Sequence, residues 1–213
     1  MAQTKEPCEL YLLTPDTIED VAAFSAELDA VLATGLVPVV QVRLKGVDDE
    51  VFTDTAERLK EVCHKHDVAL IVNDRADVAK AIGADGVHIG QDDMSLNEAR
   101  KLLGDDFDIG VTCHNSRHLA YEAGEGGANY VAFGAFFPSS TKEDAEKADI
   151  EILQMWEEVT DIPCVAIGGI TPENCRSVAD AGAHFVAVCA GVWQHEVGAV
   201  AAVKAYHEAL TKA

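Results

Sequence analysis

Two groups of residues in this 213-residue chain have types and spacings suited to chemistry. The first lies in residues 70–93, LIVNDRADVAKAIGADGVHIGQDD. Apolar Leu70, Ile71 and Val72 run into Asn73, Asp74 and Arg75. A short helical stretch from Asp77 to Ile82 stops at Gly83. Gly86 to Ile89 then runs into Gly90, Gln91, Asp92 and Asp93. Strand, helix, strand implies a parallel pair, because so long a crossover does not suit a hairpin. Both strands end on one side of the sheet, so the two polar clusters meet at one rim. Carboxylates that close repel unless a cation lies between them. A hard divalent ion such as Mg²⁺, with oxygen ligands, suits the place. Asp74 and Asp93 are the candidate ligands. Asp92 reads equally well as a solvated acid beside a helix start, and Arg75 as an ion-pair partner that holds the loop.

The second group is Gln41, Arg43 and Lys45 at the end of an apolar run. Strand alternation points all three the same way. Such a stripe is costly in a sealed core. At a rim it is either a clamp for phosphate or a set of ion-pair partners for the acidic clusters. The segment Phe136 to Lys142 adds Ser139, Ser140, Thr141 and Lys142, whose donors suit phosphate oxygens. The polar stretch from Ser139 to Asp149 reads as a mobile cover or as a solvated linker. Gly168-Gly169 and Cys189-Ala190-Gly191 end two further strands, either as tight turns or as places where backbone N–H groups approach a phosphate. His114 follows another strand with Thr112 and Cys113, and is either structural or catalytic. His88 lies inside a strand and reads as a barrel-lining group.

Composition narrows the classes. Lys plus Arg number 16 and Asp plus Glu 37, a formal charge of −21. That excess disfavours nucleic acid and anionic membranes. An anionic ligand then requires the scarce cations to gather at its site. Hydrophobic residues make up 48%, ample for a packed core. The six cysteines form no CxxC pair or zinc template. Cys113, Cys164 and Cys189 sit in or beside apolar strands and read as buried free thiols. Met1 to Pro7 does not read as a signal peptide, and no apolar run is long enough to cross a bilayer. A cytoplasmic location is the expectation.

The elements that must position these groups alternate along the chain. Strands are expected at Leu10–Leu13, Val37–Val42, Ala69–Val72, Gly86–Ile89, Ile109–Thr112, Tyr130–Phe133, Cys164–Ile167 and Phe185–Val188. Helices are expected near Ile18–Ala33, Asp49–His66, Asp77–Ile82, from Ser95 to Leu103, after Ser116, at Ile150–Val159, from Thr171, and at Val197–Leu210. Glu98 completes a capping box with Ser95. Thr171 is the expected N-cap of its helix, with Pro172 at the first position. Gly83-Ala84, Gly127-Ala128 and Gly182-Ala183 recur in one register before strands four, six and eight, glycine suiting the left-handed C′ position. Near-continuous apolar strands fit a parallel sheet covered on both faces. Eight β/α repeats in one domain over 1–213 point to an α/β fold, a single (β/α)₈ TIM barrel. The alternative open sheet lacks its early glycine fingerprint.

On that frame the rim offers a metal site and two anion sites. Arg43, Lys45, Asn73 and Lys142 surround the carboxylates, and the glycine pair stands with the Ser/Thr loop. The layout suits transfer of an alkyl group off a diphosphate. From about Leu10 to Val192 the chain resembles the thiamine-phosphate synthases. The motifs are QVRLK (Gln41 to Lys45), VNDR (Val72 to Arg75), GVHIGQDD (Gly86 to Asp93), PSSTK (Pro138 to Lys142) and AIGGITPEN (Ala166 to Asn174). The resemblance implies a barrel, often dimeric, that joins 4-amino-2-methyl-5-hydroxymethylpyrimidine diphosphate to a thiazole phosphate and releases pyrophosphate. With a carboxylated thiazole it would release CO₂ as well. It implies that Gln41, Arg43, Lys45, Asn73, Thr112 and Lys142 hold the pyrimidine diphosphate, with Arg43, Lys45 and Lys142 drawing off the leaving group. It implies Mg²⁺ on Asp74 and Asp93, and Ser139, Ser140, Thr141, Gly169, Cys189 and Ala190 around the thiazole phosphate. The family usually has Thr at Ser139, Glu at Leu44, Ser at Ala190 and Ser at Thr112. Two other readings of the same residues are a thiazole tautomerase using His114 and a non-catalytic barrel that binds a thiamine-related phosphate.

Overall fold

The computed structural model describes residues 7–138 and 147–212. Strands β1 (Glu9–Leu13), β2 (Val39–Val42), β3 (Ala69–Asn73), β4 (Gly86–Ile89), β5 (Asp108–His114), β6 (Tyr130–Phe133), β7 (Cys164–Ile167) and β8 (Phe185–Val188) pair in sequence order. All are parallel, and β1 pairs with β8 to close the barrel. Helices α1 (Val21–Leu32), α2 (Asp49–Lys65), α3 (Ala76–Ile82), α4 (Leu96–Leu103), α5 (Arg117–Glu125), α6 (Glu151–Val159), α7 (Cys175–Asp180), α8 (Ala190–Trp193) and α9 (Ala199–Thr211) are joined to it. The expected (β/α)₈ barrel is the observed one.

The strand period of two sorts the core into two shells. Leu10 and Leu12 of β1, Val40 and Val42 of β2, and Val87 and Ile89 of β4 face outward and pack with the helices. Tyr11 and Leu13 face inward, meeting Ile71, Ala132, Val165 and Ala187. Gln41 and His88 fall between outward-facing neighbours, and both are buried. Every active strand end thus opens at one rim.

Several expected details hold. Ser95 and Glu98 form the capping box of α4, and the Ser116 side chain accepts from Leu119 N–H at the start of α5. Gly83, Gly127 and Gly182 all take positive φ, of 64°, 86° and 118°. Their lack of a Cβ is what lets each helix turn back into its strand.

Other details differ. Thr171 does not cap α7. That helix starts at Cys175 with Asn174 at the cap position. The Asn174 side chain instead accepts from Thr171 N–H at 2.8 Å and donates to Gly169 O at 3.0 Å, tying the β7 loop into a turn. Strand β2 ends at Val42, so Arg43 and Lys45 leave the strand rather than continue its alternation. Strand β5 runs on to His114 through a bulge. The short helix α8 was not expected, and it places its start directly after β8. No helix among the described residues is long and apolar enough to cross a membrane.

Candidate active site

The two acids singled out in the sequence meet at the rim. Asp74 leaves β3 in a left-handed conformation, φ 63°, a conformation unusual outside glycine. Its N–H donates to His88 O across the strand gap at 2.8 Å, which anchors the turn. Asp93 folds back so that its Oδ2 accepts from Gly90 N–H at 2.8 Å. The two carboxyls come within hydrogen-bonding reach of one another. Partial burial, then the hydrogen bond to Asp93 and the Asp93 charge, raise the Asp74 pKa to about 6, while Arg43 and Lys45 pull it the other way. All four groups therefore share one electrostatic neighbourhood.

The exit of β1 braces the exit of β2. Thr14 Oγ1 donates to Arg43 O at 3.1 Å and accepts from Arg43 N–H at 2.9 Å. Lys45 N–H donates to Asp16 O at 2.8 Å. The Arg43 guanidinium pairs with the Asp16 carboxylate. The sequence did not single out Asp16, because an acid after Thr-Pro reads as a turn residue.

Arg75 takes the structural role. It pairs with Asp49 at 2.6 Å and makes a fork to Asp77 at 2.9 and 2.8 Å. These bonds hold Asp77 below the usual carboxylate range. Asp92 is exposed.

A chain of polar side chains crosses the barrel interior below the rim. Gln41 Nε2 donates to Tyr11 Oη at 2.9 Å. Tyr11 Oη lies 2.8 Å from Tyr130 Oη. Tyr130 Oη lies 3.1 Å from His88 Nδ1, and His88 Nε2 lies 2.8 Å from Thr112 Oγ1. His88 is 8% exposed, and burial lowers its pKa to about 4, so the ring is neutral near pH 7. The expected barrel-lining role of His88 holds. Tyr11 and Tyr130 were missed because an aromatic in an apolar strand reads as core. The clearest signal was Gly110 in the neighbouring strand: a Cβ there would collide with the Tyr130 ring.

On the opposite side, Gly169 has φ 62°, and a Cβ on it would run into the carbonyls of Phe137 and Pro138. Phe136 and Phe137 N–H groups donate to Ile167 O and Gly168 O at 3.2 and 3.0 Å. The β6 and β7 loops are thus strapped together at their base. Cys189 donates to Thr14 O at 3.3 Å, and burial pushes its thiol up to about 11. Tyr206 of α9 donates to Ile170 O at 2.8 Å and packs where a Cβ of Gly191 would lie. Ser139, Ser140, Thr141 and Lys142 lie outside the described residues. His114 is exposed, with φ 51°, at the β5 bulge.

The acid pair fits a magnesium ion. Among the described residues no group of three or more His, Cys, Asp or Glu converges as a metal cage. Mg²⁺ is commonly held by one or two carboxylates, with water and substrate phosphates completing its shell. A calcium-type cage needs more protein oxygens than this pair supplies.

Comparison with known proteins follows the same lines. The family model described as thiamine monophosphate synthase matches residues 10–192. A thiamine-phosphate synthase of Rhodospirillum centenum is 52% identical over 203 residues, spanning 95% of this chain and 98% of that protein. One from Erythrobacter litoralis is 50% identical over 217 residues, spanning 100% of both. Among solved structures, a thiamine phosphate pyrophosphorylase from Pyrococcus furiosus superposes with a TM-score of 0.84 at 29% identity, covering 95% of each chain.

Proposed function

The chain belongs to the thiamine monophosphate synthase family, and we propose that it is the transferase that makes thiamine phosphate. Its substrates are 4-amino-2-methyl-5-hydroxymethylpyrimidine diphosphate and a thiazole phosphate, carboxylated or not. The products are thiamine phosphate and pyrophosphate, with CO₂ when the thiazole is carboxylated. The observation that carries the proposal is the meeting of Arg43 and Lys45 with the Asp74–Asp93 pair at one mouth of an otherwise strongly acidic molecule.

The chemistry follows from the roles that the family resemblance gives these residues. Gln41, Asn73 and Thr112 hold the pyrimidine, and Arg43 and Lys45 hold its diphosphate, with Lys142 joining them. Asp74 and Asp93 would hold Mg²⁺, which when bound would supply charge neutralisation to the diphosphate. The C–O bond to the diphosphate breaks with its electron pair leaving on oxygen. Arg43 and Lys45 face the charge that develops there. The aminopyrimidine delocalises the positive charge left on its methylene. The thiazole nitrogen then donates its lone pair to that carbon. Gly169, Cys189 and Ala190, with Ser139, Ser140 and Thr141, line the thiazole phosphate site. Ala190 supplies no hydroxyl, so backbone N–H groups must carry more of that binding. Little proton transfer is required, which agrees with a mouth rich in fixed charge.

The proposal extends to one barrel domain over 1–213 working in the cytoplasm, with a homodimer as its expected assembly. The relatives described above are thiamine-phosphate synthases, which leaves the tautomerase and the non-catalytic readings without support. The test is incubation of the purified chain with both phosphates and Mg²⁺, followed by assay of pyrophosphate and thiamine phosphate. Formation of both is expected. No product with either thiazole form would overturn the proposal.

A further inference from the structure

We propose that Tyr130 is a positioning residue that carries the hydrogen-bond direction fixed at Gln41 through to Thr112, so that the barrel selects an amino-substituted pyrimidine over its oxo counterpart. This rests on the transferase reading above and deepens it.

The direction follows from the donors. Gln41 meets Tyr11 through Nε2, which can only donate. Tyr11 Oη is buried, and its own proton has the Tyr130 oxygen at 2.8 Å to go to. Tyr130 Oη, having accepted from Tyr11, has His88 Nδ1 at 3.1 Å left to donate to. A neutral His with an accepting Nδ1 carries its proton on Nε2, where Thr112 Oγ1 accepts it. All four bonds then run one way, from β2 to β5. Reversing any one of them would set proton against proton or lone pair against lone pair in a buried site, which is costly.

The two ends of the chain are consequently unlike. Gln41 Oε1 takes no partner among the described residues and is not sealed off. It is left as an acceptor. Thr112 uses its oxygen to accept from His88 and keeps its O–H to donate. An exocyclic amine donates to the Gln41 end. An oxo group in the amine's place turns a lone pair toward a lone pair. The opposite pattern, which an oxopyrimidine would want, requires all four bonds to reverse together. Tyr130 is the middle link, stacked on His88 with ring centroids 5.5 Å apart. The absence of a Cβ at Gly110 is what gives its ring room.

The proton on His88 reports the direction without any substrate. In ¹⁵N-labelled protein near pH 7, with the His88 signals assigned through His88→Gln, the expected result is a protonated Nε2 and a bare Nδ1. Tyr130→Phe should abolish that preference. It should also cut the ratio of kcat/KM for the amino over the oxo pyrimidine diphosphate by about tenfold, the effect of one lost discriminating hydrogen bond. Should Tyr130→Phe fail to fold, Gln41→Glu asks the same question. A carboxylate can only accept from Tyr11, so the proton should move to Nδ1. A wild-type proton on Nδ1, or an unchanged tautomer and ratio in Tyr130→Phe, overturns the proposal. Failure of the wild type to couple any substrate would instead overturn the transferase reading, and the tautomer measurement would stand apart from it.

Discussion

The carboxyl of Asp74 lies within hydrogen-bonding reach of that of Asp93, across the gap between the exits of β3 and β4. Two acids so placed, with Arg43 and Lys45 beside them, are poised for a cation and an anion together. The pair has a pH signature. Folded, Asp74 holds its proton up to about pH 6, against an ordinary value of 3.8. The folded state binds more protons between those values, so this group lowers stability as pH rises through that window. Mg²⁺ needs the ionised form. In thermal melts the Mg²⁺-dependent rise in Tm should be small below pH 6 and grow above it. Asp93→Asn should shrink the metal-free slope to the part that burial of Asp74 causes, and should remove the metal effect. An Asp93→Asn chain with the wild-type profile would exclude this coupling.

His88 works in the opposite sense. Its folded pKa is lowered from 6.5 to about 4. The unfolded state therefore binds more protons between those values. Stability is fully present above pH 6.5 and is lost as pH falls toward 4, by on the order of 3 kcal/mol. His88→Gln should remove that acid-side loss, leaving the Asp74 slope visible alone. Denaturant unfolding at pH 4.5 and pH 7.5 reads the difference. An equal loss in both chains would place the neutral-His account in error.

Asp16 occupies Arg43 before any ligand does. The Asp16 side chain is 39% exposed, and exposed pairs contribute at most about 1 kcal/mol. Asp16→Asn removes a competing negative charge from the clamp. The KM for the pyrimidine diphosphate should fall by up to about fivefold. Arg43→Ala should raise it at least about tenfold. Steady-state kinetics on both variants decide the matter: a higher KM in Asp16→Asn would mean that Asp16 orients Arg43 rather than competing for it.

Gly169→Ala should act on the other half of the site. It forces a side chain into a left-handed turn and against the carbonyls of Phe137 and Pro138. A loss of about 2 kcal/mol in stability is expected. The KM for the thiazole phosphate should rise while that for the pyrimidine diphosphate holds. An equal rise in both would mean that the β7 loop does not belong to the thiazole side.

The barrel was legible because its strands are short apolar runs separated by helix-length segments, and because Gly83, Gly127 and Gly182 repeat in register. The meeting of Asp74 with Asp93 followed from parallel strands alone. Other features rest on competition that no local pattern displays. Thr171 has the composition of a cap, yet Asn174 takes its N–H and the helix starts later. Arg43 and Lys45 reach the mouth because Thr14 and Asp16 bind the backbone there, not because β2 continues. Tyr11 and Tyr130 are separated by 119 residues and look like core until closure brings their hydroxyls together.

The most direct measurement is a double-mutant cycle on pyrophosphate binding in the presence of Mg²⁺. The wild type, Arg43→Ala, Asp93→Ala and the double variant are titrated calorimetrically. If cation and acid serve one leaving-group site, the double loss should fall short of the product of the single losses by about fivefold or more, a coupling of about 1 kcal/mol. Losses that simply multiply would show that Arg43 and Asp93 act independently, and would contradict a shared diphosphate mouth.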